Sequence, residues 1–368
     1  MEKILVFIAM VSSLMFAKSE TEICKKCHPI IVEEFQNSMH RKSSFYDDKI
    51  HSAVWDKHPS KEKGGYSCAK CHAPHGKTEE DIKKGISCST CHTIQNIEYH
   101  TQSSSNIYSK DPKTFFSAEK GRETQKITYK KESSFFGMNK TAVGSPYHDI
   151  DYTNENFYTG QVCMGCHSHR KNSDEFTLCK TDKDGAKDKE QNCITCHMPK
   201  TDGSATTIRK SQKHSFHGFA GARHKPQMLS EYIELDFEKT ATGFHILVKN
   251  KAPHDLLTHP LRAIELRVTL TRDGSTAALK TNSFIKVIGR DGKPSMPWLA
   301  NAIIVDTMIK GNEKRVITYN DSVKNGDKLE VQIGYYAVNP GALKQLNLDG
   351  EKELKKFTVL KQKYFIVK

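Results

Sequence analysis

The chain has 368 residues, with 56 Lys and Arg against 43 Asp and Glu, a formal charge of +13. Apolar residues make up only 36% and mean hydropathy is −0.62, so side chains alone are thin material for the cores that this length implies. A polytopic membrane protein is excluded, because the one long apolar run is N-terminal. A disordered tail is excluded by 11 Cys, 18 His, 17 Phe and 13 Tyr.

In chain order, residues 1–17 have the pattern of a secretory signal peptide. Lys3 precedes the apolar run Ile4–Val11, and small residues lead to Ala17. The run is too short to span a bilayer comfortably. The next 200 or so residues are dominated by Cys24-Lys25-Lys26-Cys27-His28, Cys68-Ala69-Lys70-Cys71-His72, Cys88-Ser89-Thr90-Cys91-His92, Cys163-Met164-Gly165-Cys166-His167 and Cys193-Ile194-Thr195-Cys196-His197. Local helix signals such as Ile30-Ile31-Val32-Glu33-Glu34-Phe35 surround them. Cys68 and Cys88 are only 20 positions apart, so their sites are expected to be neighbours. Residues 101–160 carry no such motif. They are rich in Ser, Thr, Lys and Tyr, with Gly137 and Gly144-Ser145-Pro146 as breakers, and are expected to wrap the neighbouring sites.

After residue 228 the character changes. Cys disappears, and period-two runs follow one another: Tyr232–Phe237, Phe244–Val248, Ala263–Leu270, Arg315–Tyr319 and Lys328–Ile333. Asp273-Gly274, Asp291-Gly292 and Asn325-Gly326 punctuate them as hairpin turns. About 140 residues in seven or so strands suit a sandwich of the immunoglobulin type. The expected architecture is therefore a mainly α-helical and loop domain over 18–227, followed by an all-β immunoglobulin-like sandwich over 228–368.

The five repeats of Cys-x-x-Cys-His carry the chemistry. This is the signature of covalent haem c attachment, in which two thiols three positions apart meet the two vinyl groups of one porphyrin and the adjacent His binds the iron. Zinc would need four ligands per metal and would leave one Cys pair over and the five His unexplained. Redox Cys pairs come singly on a strand–helix unit, and a disulfide scaffold does not couple each pair to His. Five haem c groups follow, attached at Cys24, Cys27, Cys68, Cys71, Cys88, Cys91, Cys163, Cys166, Cys193 and Cys196, with His28, His72, His92, His167 and His197 as proximal iron ligands. Such cofactors also supply the missing apolar core.

Thirteen His remain for the second axial position. Local context selects His40, in Ser38-Met39-His40 after an apolar helical turn, and His148, in the motif-free zone. It also selects His217 after the last motif and His254 in a loop of the β part. His51, His58, His75, His100, His214, His224 and His259 compete with them. Bis-His ligation implies low potentials. Cys179 stands outside the motifs and reads as a small buried hydrophobe, and Lys180–Glu190 as a solvated charged loop.

Several stretches resemble a known family. Cys27-His28-Pro29 followed by Ser38-Met39-His40, Gly85-Ile86-Ser87-Cys88 through Cys91-His92-Thr93-Ile94, Cys196-His197-Met198-Pro199 and His217-Gly218-Phe219-Ala220-Gly221 are similar to multihaem cytochromes related to the tetrahaem electron acceptor of hydroxylamine oxidoreductase. Asn250–Arg262 resembles that family's Ala-Gly-His-x-Leu-Pro-Thr-Gly turn, whose His reaches a haem. Here Pro253 replaces Gly, Leu257 replaces Pro, and His259 stands where Gly is usual. The resemblance implies electron transfer.

Three roles are weighed. A periplasmic electron carrier is preferred, and no catalytic residue is assigned. A nitrite reductase-like enzyme would need one open haem. The count of five motifs suits it, but the Cys-x-x-Cys-Lys motif is missing and the long β part does not match. A subunit docked on a membrane complex is the third. The expected partners are redox proteins, with a membrane-bound quinol-oxidising cytochrome as one candidate. Nucleic acid is not expected, because the propionates of five haems offset a charge comparable to the Lys excess.

Overall fold

The computed structural model describes residues 19–133, 140–181 and 188–368. The expected signal peptide at 1–17 lies outside the described residues, as does the side chain of Cys179 and most of the charged loop that follows it. No helix among the described residues is long and apolar enough to cross a membrane.

The N-terminal half corrects the expectation of a mainly helical domain. The described residues are 20% helical and 31% strand, and the longest helix before residue 227 is Pro29–Asn37, nine residues. The helices that carry the later motifs are shorter still: Ala69–His72, Cys88–His92, Met164–His167 and Cys193–His197. Helices of this length do not hold themselves together in water. Cys88–His92 and Cys193–His197 span a whole motif, and in the other two the first Cys, Cys68 or Cys163, is the N-cap. The space between them is filled by small antiparallel pairs, Ile94–Glu98 with Ser105–Tyr108 and Lys200–Asp202 with Lys213–Ser215. In the motif-free zone, Thr114–Phe116 runs parallel to Asp149–Asp151, which also pairs with Lys126–Ile127.

Local sequence starts the motif helices. Ser87 caps Cys88–His92 and Asn192 caps Cys193–His197, each in a reciprocal box with a Thr three residues on. A cap of this kind contributes about 1 kcal/mol and fixes the first Cys of the motif as the first helical residue. Upstream of Cys88, Gly85 has φ +65°, and a Cβ there would lie 2.7 Å from the Arg41 carbonyl. Only Gly lets the chain pass this close to the segment after His40.

The C-terminal half is β-rich, as expected. Ile233–Lys239, Phe244–Asn250 and Lys314–Tyr319 form one antiparallel sheet. The other has the order Lys293–Pro294, Asn282–Arg290, Ala263–Arg272, Lys328–Tyr336, Thr358–Ile366, with two shorter strands alongside. Asp273-Gly274 and Asp291-Gly292 adopt the left-handed conformations of tight hairpins. Asn325-Gly326 instead lies on the path between sheets, since Lys314–Tyr319 and Lys328–Tyr336 belong to different ones. Alternate residues, among them Leu235, Phe244, Ile246, Ile264, Leu266, Leu329 and Ile333, meet in one fully buried core. This half also has a short helix, Pro340–Leu343, and a 3-10 turn, Lys352–Lys355.

The halves are joined by more than the chain. Ile50 and Ala53 of the Lys49–Trp55 helix pack with Val338, Leu343, Leu346 and Leu348. The Asn172 amide donates to the Pro297 and Ala300 carbonyls at 3.0 and 2.6 Å, and the Tyr335 hydroxyl donates to the Ala222 carbonyl.

Candidate haem centres

Four of the five motif His share a preparation for metal binding. His28, His72, His92 and His197 direct Nδ1 at the backbone carbonyls of Ala205, Ser43, Phe116 and Ala220, at 2.7, 2.7, 2.7 and 2.6 Å. A carbonyl accepts only from N–H, so this contact puts the ring proton on Nδ1 and leaves the Nε2 lone pair for iron. Burial also favours the neutral ring. It lowers the pKa of His72 to about 4, with help from His51, and lowers those of His92, His167 and His197.

Four motif His face a second imidazole. His28 and His148 have ring centres 6.3 Å apart, His92 and His217 6.2 Å, His167 and His40 6.0 Å, and His197 and His254 6.1 Å. The spacing fits two axial ligands of one iron. Metal–nitrogen bonds of about 2 Å on both sides of one iron put facing ring centres roughly 6 Å apart, whereas stacked rings in contact are closer. The planes are near parallel in three pairs, at 30°, 15° and 20°, and close to perpendicular, 79°, in the His40 pair.

Three of the second rings are held like the first. Nδ1 of His217 lies 2.7 Å from the Ser215 carbonyl, that of His254 2.9 Å from Asp255 and that of His148 3.3 Å from Asp149. Burial lowers the pKa of His40 and His217 to about 3. The Nδ1 of His40 is buried without any hydrogen-bond partner, an orphan of the kind that a metal bond relieves. The residues present thus fit the cofactor that the motifs call for.

The remaining His do other things. His214 directs Nδ1 at the Gly203 carbonyl at 3.0 Å and Nε2 at Glu34 at 3.0 Å. The same Glu34 carboxylate accepts from the backbone N–H of His217 at 2.8 Å and so fixes that ring's segment. His224 stacks on Phe216, His58 lies edge-on to Trp298, and His75 edge-on to Tyr108. His100 is paired with Glu98 at the surface. His51 lies only 4.1 Å from the His72 ring, tilted by 57°.

The sulfurs reveal how the motifs are arranged. Cys24 lies within 4.8 Å of Cys88, and Cys71 lies beside Cys166 and Cys163 beside Cys193. The first motif therefore touches the third, and the fourth touches both the second and the fifth. Glu20 reinforces the first of these contacts by accepting from the Ser89 backbone N–H at 2.7 Å. Phe115 lies nearly parallel to both His148, at 4.8 Å, and His92, at 6.0 Å. Nothing in the sequence around Phe115 signals this role.

Known proteins are similar to this chain. A family model described as cytochrome c554 and c-prime matches residues 23–93, which hold the first three motifs. The crystal structure of a penta-heme cytochrome c552 from Thermochromatium tepidum superposes with a TM-score of 0.69 at 20% identity, covering 95% of this chain and 99% of that one. The chain has the fold of a multihaem c-type cytochrome. A second solved structure, the E. coli curli protein CsgC, is 8% identical over 28% of this chain and 82% of that one, and its TM-score of 0.16 carries no argument. No curated protein matches the chain.

Proposed function

We propose that this protein is an exported electron relay that holds five haem c groups, four of them with two axial His. The observation that carries the reading is the set of four imidazole pairs at 6.0–6.3 Å, each made of a motif His and one of His148, His217, His40 and His254. When bound, haem supplies reversible one-electron exchange at its iron. The chain supplies everything else. The Cys pairs anchor the groups, the carbonyl-bound imidazoles orient their lone pairs, and burial excludes water.

The sulfur contacts support an order of exchange. The first and third sites form one pair, and the second and fifth both adjoin the fourth. A relay with a junction at the fourth site follows, and charge can leave it by more than one edge. Export is supported by the leader-like segment 1–17 and by the need for a compartment where haem is attached to thiols, which makes the periplasm the proposed location. The partners are redox proteins, such as a membrane-bound quinol-oxidising cytochrome. The link to hydroxylamine oxidoreductase chemistry rests on the motif stretches quoted above and suggests a low-potential role of the same kind.

The test is the haem content of purified protein, by alkaline pyridine spectrum against protein mass, joined to the mass of the mature N-terminus. Five haems per chain and loss of residues up to about Ala17 are expected. Fewer than five haems would overturn the relay, and a retained Met1 would overturn the exported soluble form.

A further inference from the structure

The four facing pairs differ in how their rings are held. Six of the eight imidazoles direct Nδ1 at a backbone carbonyl: His28 and His148 at the first centre, His92 and His217 at the third, His197 and His254 at the fifth. The other two, His40 and His167, belong to one centre, the fourth. Among the described residues, no acceptor meets either ring nitrogen of His40 or of His167, and Nδ1 of His40 is buried as well. Whichever nitrogen takes the iron, the N–H of the other goes unpaired.

That difference bears on the iron. A carbonyl that accepts the outer N–H draws its proton away and makes the ring a stronger donor. A stronger donor stabilises the more highly charged ferric state and so lowers the potential. The first, third and fifth centres receive this push from both axial rings, and the fourth from neither.

Burial acts in the same direction. Met164 and Gly165, the two residues between the Cys of the fourth motif, are buried, and Met164 packs with Ile94 and Ile97. Their counterparts in the first motif, Lys25 and Lys26, are exposed. The ring of Phe219 lies 4.1 Å from that of His40 and gives it an apolar neighbour. Apolar surroundings disfavour the extra charge of the ferric state. At the third motif, by contrast, the Glu20 carboxylate accepts from the Ser89 backbone N–H at 2.7 Å, and an anion there favours that charge.

We propose that the fourth centre has the highest potential of the four two-His centres and is where electrons collect within the relay. This deepens the relay reading and rests on it, since it takes a haem at Cys163 and Cys166, with His40 and His167 as axial ligands, as given. One electron taken from a reduced partner protein makes that iron ferrous before the irons of the first, third and fifth centres, and an oxidised partner later withdraws it. Because the fourth motif's sulfurs lie beside those of the second and the fifth, the branch point stores charge as well as passing it.

The experiment is a spectroelectrochemical titration of the purified holoprotein beside four ligand variants, His148→Met, His217→Met, His40→Met and His254→Met. Met in place of an axial His raises a haem's potential, so each variant marks the wave of its own centre. In the unchanged protein, the wave marked by His40→Met is expected above the three marked by the others, by an electron preference of about tenfold, or about 59 mV. A fourth-centre wave level with or below any of the three would overturn the proposal and leave the relay standing. Phe219→Asn is a second arm that keeps every ligand. It offers His40 an acceptor, and Asn tolerates the φ of +56° found there. One wave that stands above at least three others should therefore fall, and Phe219→Leu, which offers no acceptor, should not lower it. No fall, or a fall in a wave with fewer than three below it, would refute the fourth centre as the collecting point. A haem count below five, or a visible spectrum that His40→Met leaves unchanged, would strike the relay reading instead.

Discussion

The two halves of the molecule are held together by different matter. In the β-rich half, Phe244, Ile246, Val248, Ile264, Leu266, Leu329, Val331 and Ile333 are almost fully buried in a single cluster contributed by two sheets. In the motif-bearing half, the corresponding apolar cluster of its own is little more than Ile94, Ile97 and Met164 with a few partly buried neighbours. The attachment cysteines are all only partly buried, and the helices that carry them are too short to stand alone. A low apolar content thus has a location. One half has a side-chain core of the ordinary kind, and the other is shaped for a core that arrives with its cofactors.

The sharpest way to break this comparison is to withhold haem. A full chain made where covalent attachment cannot occur is expected to lose ordered structure over 19–225 while retaining the sheet signal of 228–368, read by hydrogen exchange. Equal protection in both halves would refute the division. Acid comes next. Burial holds His40 and His217 at about 3, whereas an unfolded His titrates near 6.5. Between those values the unfolded chain binds more protons, so stability falls as pH drops through that window. On acidification, low-spin absorbance should vanish before the β-sheet circular dichroism does.

Two substitutions sharpen it further. Leu266→Ala should cost about 2–5 kcal/mol by opening a cavity in a packed core, measured by denaturant unfolding, without moving the visible spectrum. Asp48→Asn removes the partner of Arg223, in a pair that ties the cap of the Lys49–Trp55 helix to the segment before the β half. A smaller loss of about 1–3 kcal/mol is expected. The Asp48 carboxyl feels burial, which pushes its pKa up, but Arg223 holds it below the ordinary value. The pair's contribution is therefore present above about pH 4 and lost as pH falls below, and the variant should show a flatter acid limb.

Much of the site was legible because its signals are local. Two Cys and a His within five residues mark a candidate attachment point without help from the rest of the fold. The strands of the β half announced themselves through alternation, and Ala263–Arg272 begins at the residue where the period-two run begins. The mainly helical expectation failed for the same reason in reverse. Helical periodicity around Ile30–Phe35 extends only over Pro29–Asn37, and three-residue strands such as Thr114–Phe116 are too short to show a period. What pairs them is a partner 35 positions away, Thr114 with Asp149. The contacts of Cys24 with Cys88, of Glu34 with His217 and of Asp48 with Arg223 are likewise long-range. Ordinary residue types make them, and no spacing rule marks them.

Under the proposed ligation, the crossed planes of His40 and His167, at 79°, would have a magnetic consequence. Imidazoles at right angles push on two different iron d orbitals equally, so those orbitals stay nearly degenerate in the ferric state. Near-parallel rings split them. The fourth centre should therefore give a ferric resonance far more anisotropic than its three companions, at a field where none of them absorbs. Because its sulfurs touch those of both the second and the fifth motifs, this separate resonance would let the filling of the crossing point be followed on its own during a reductive titration.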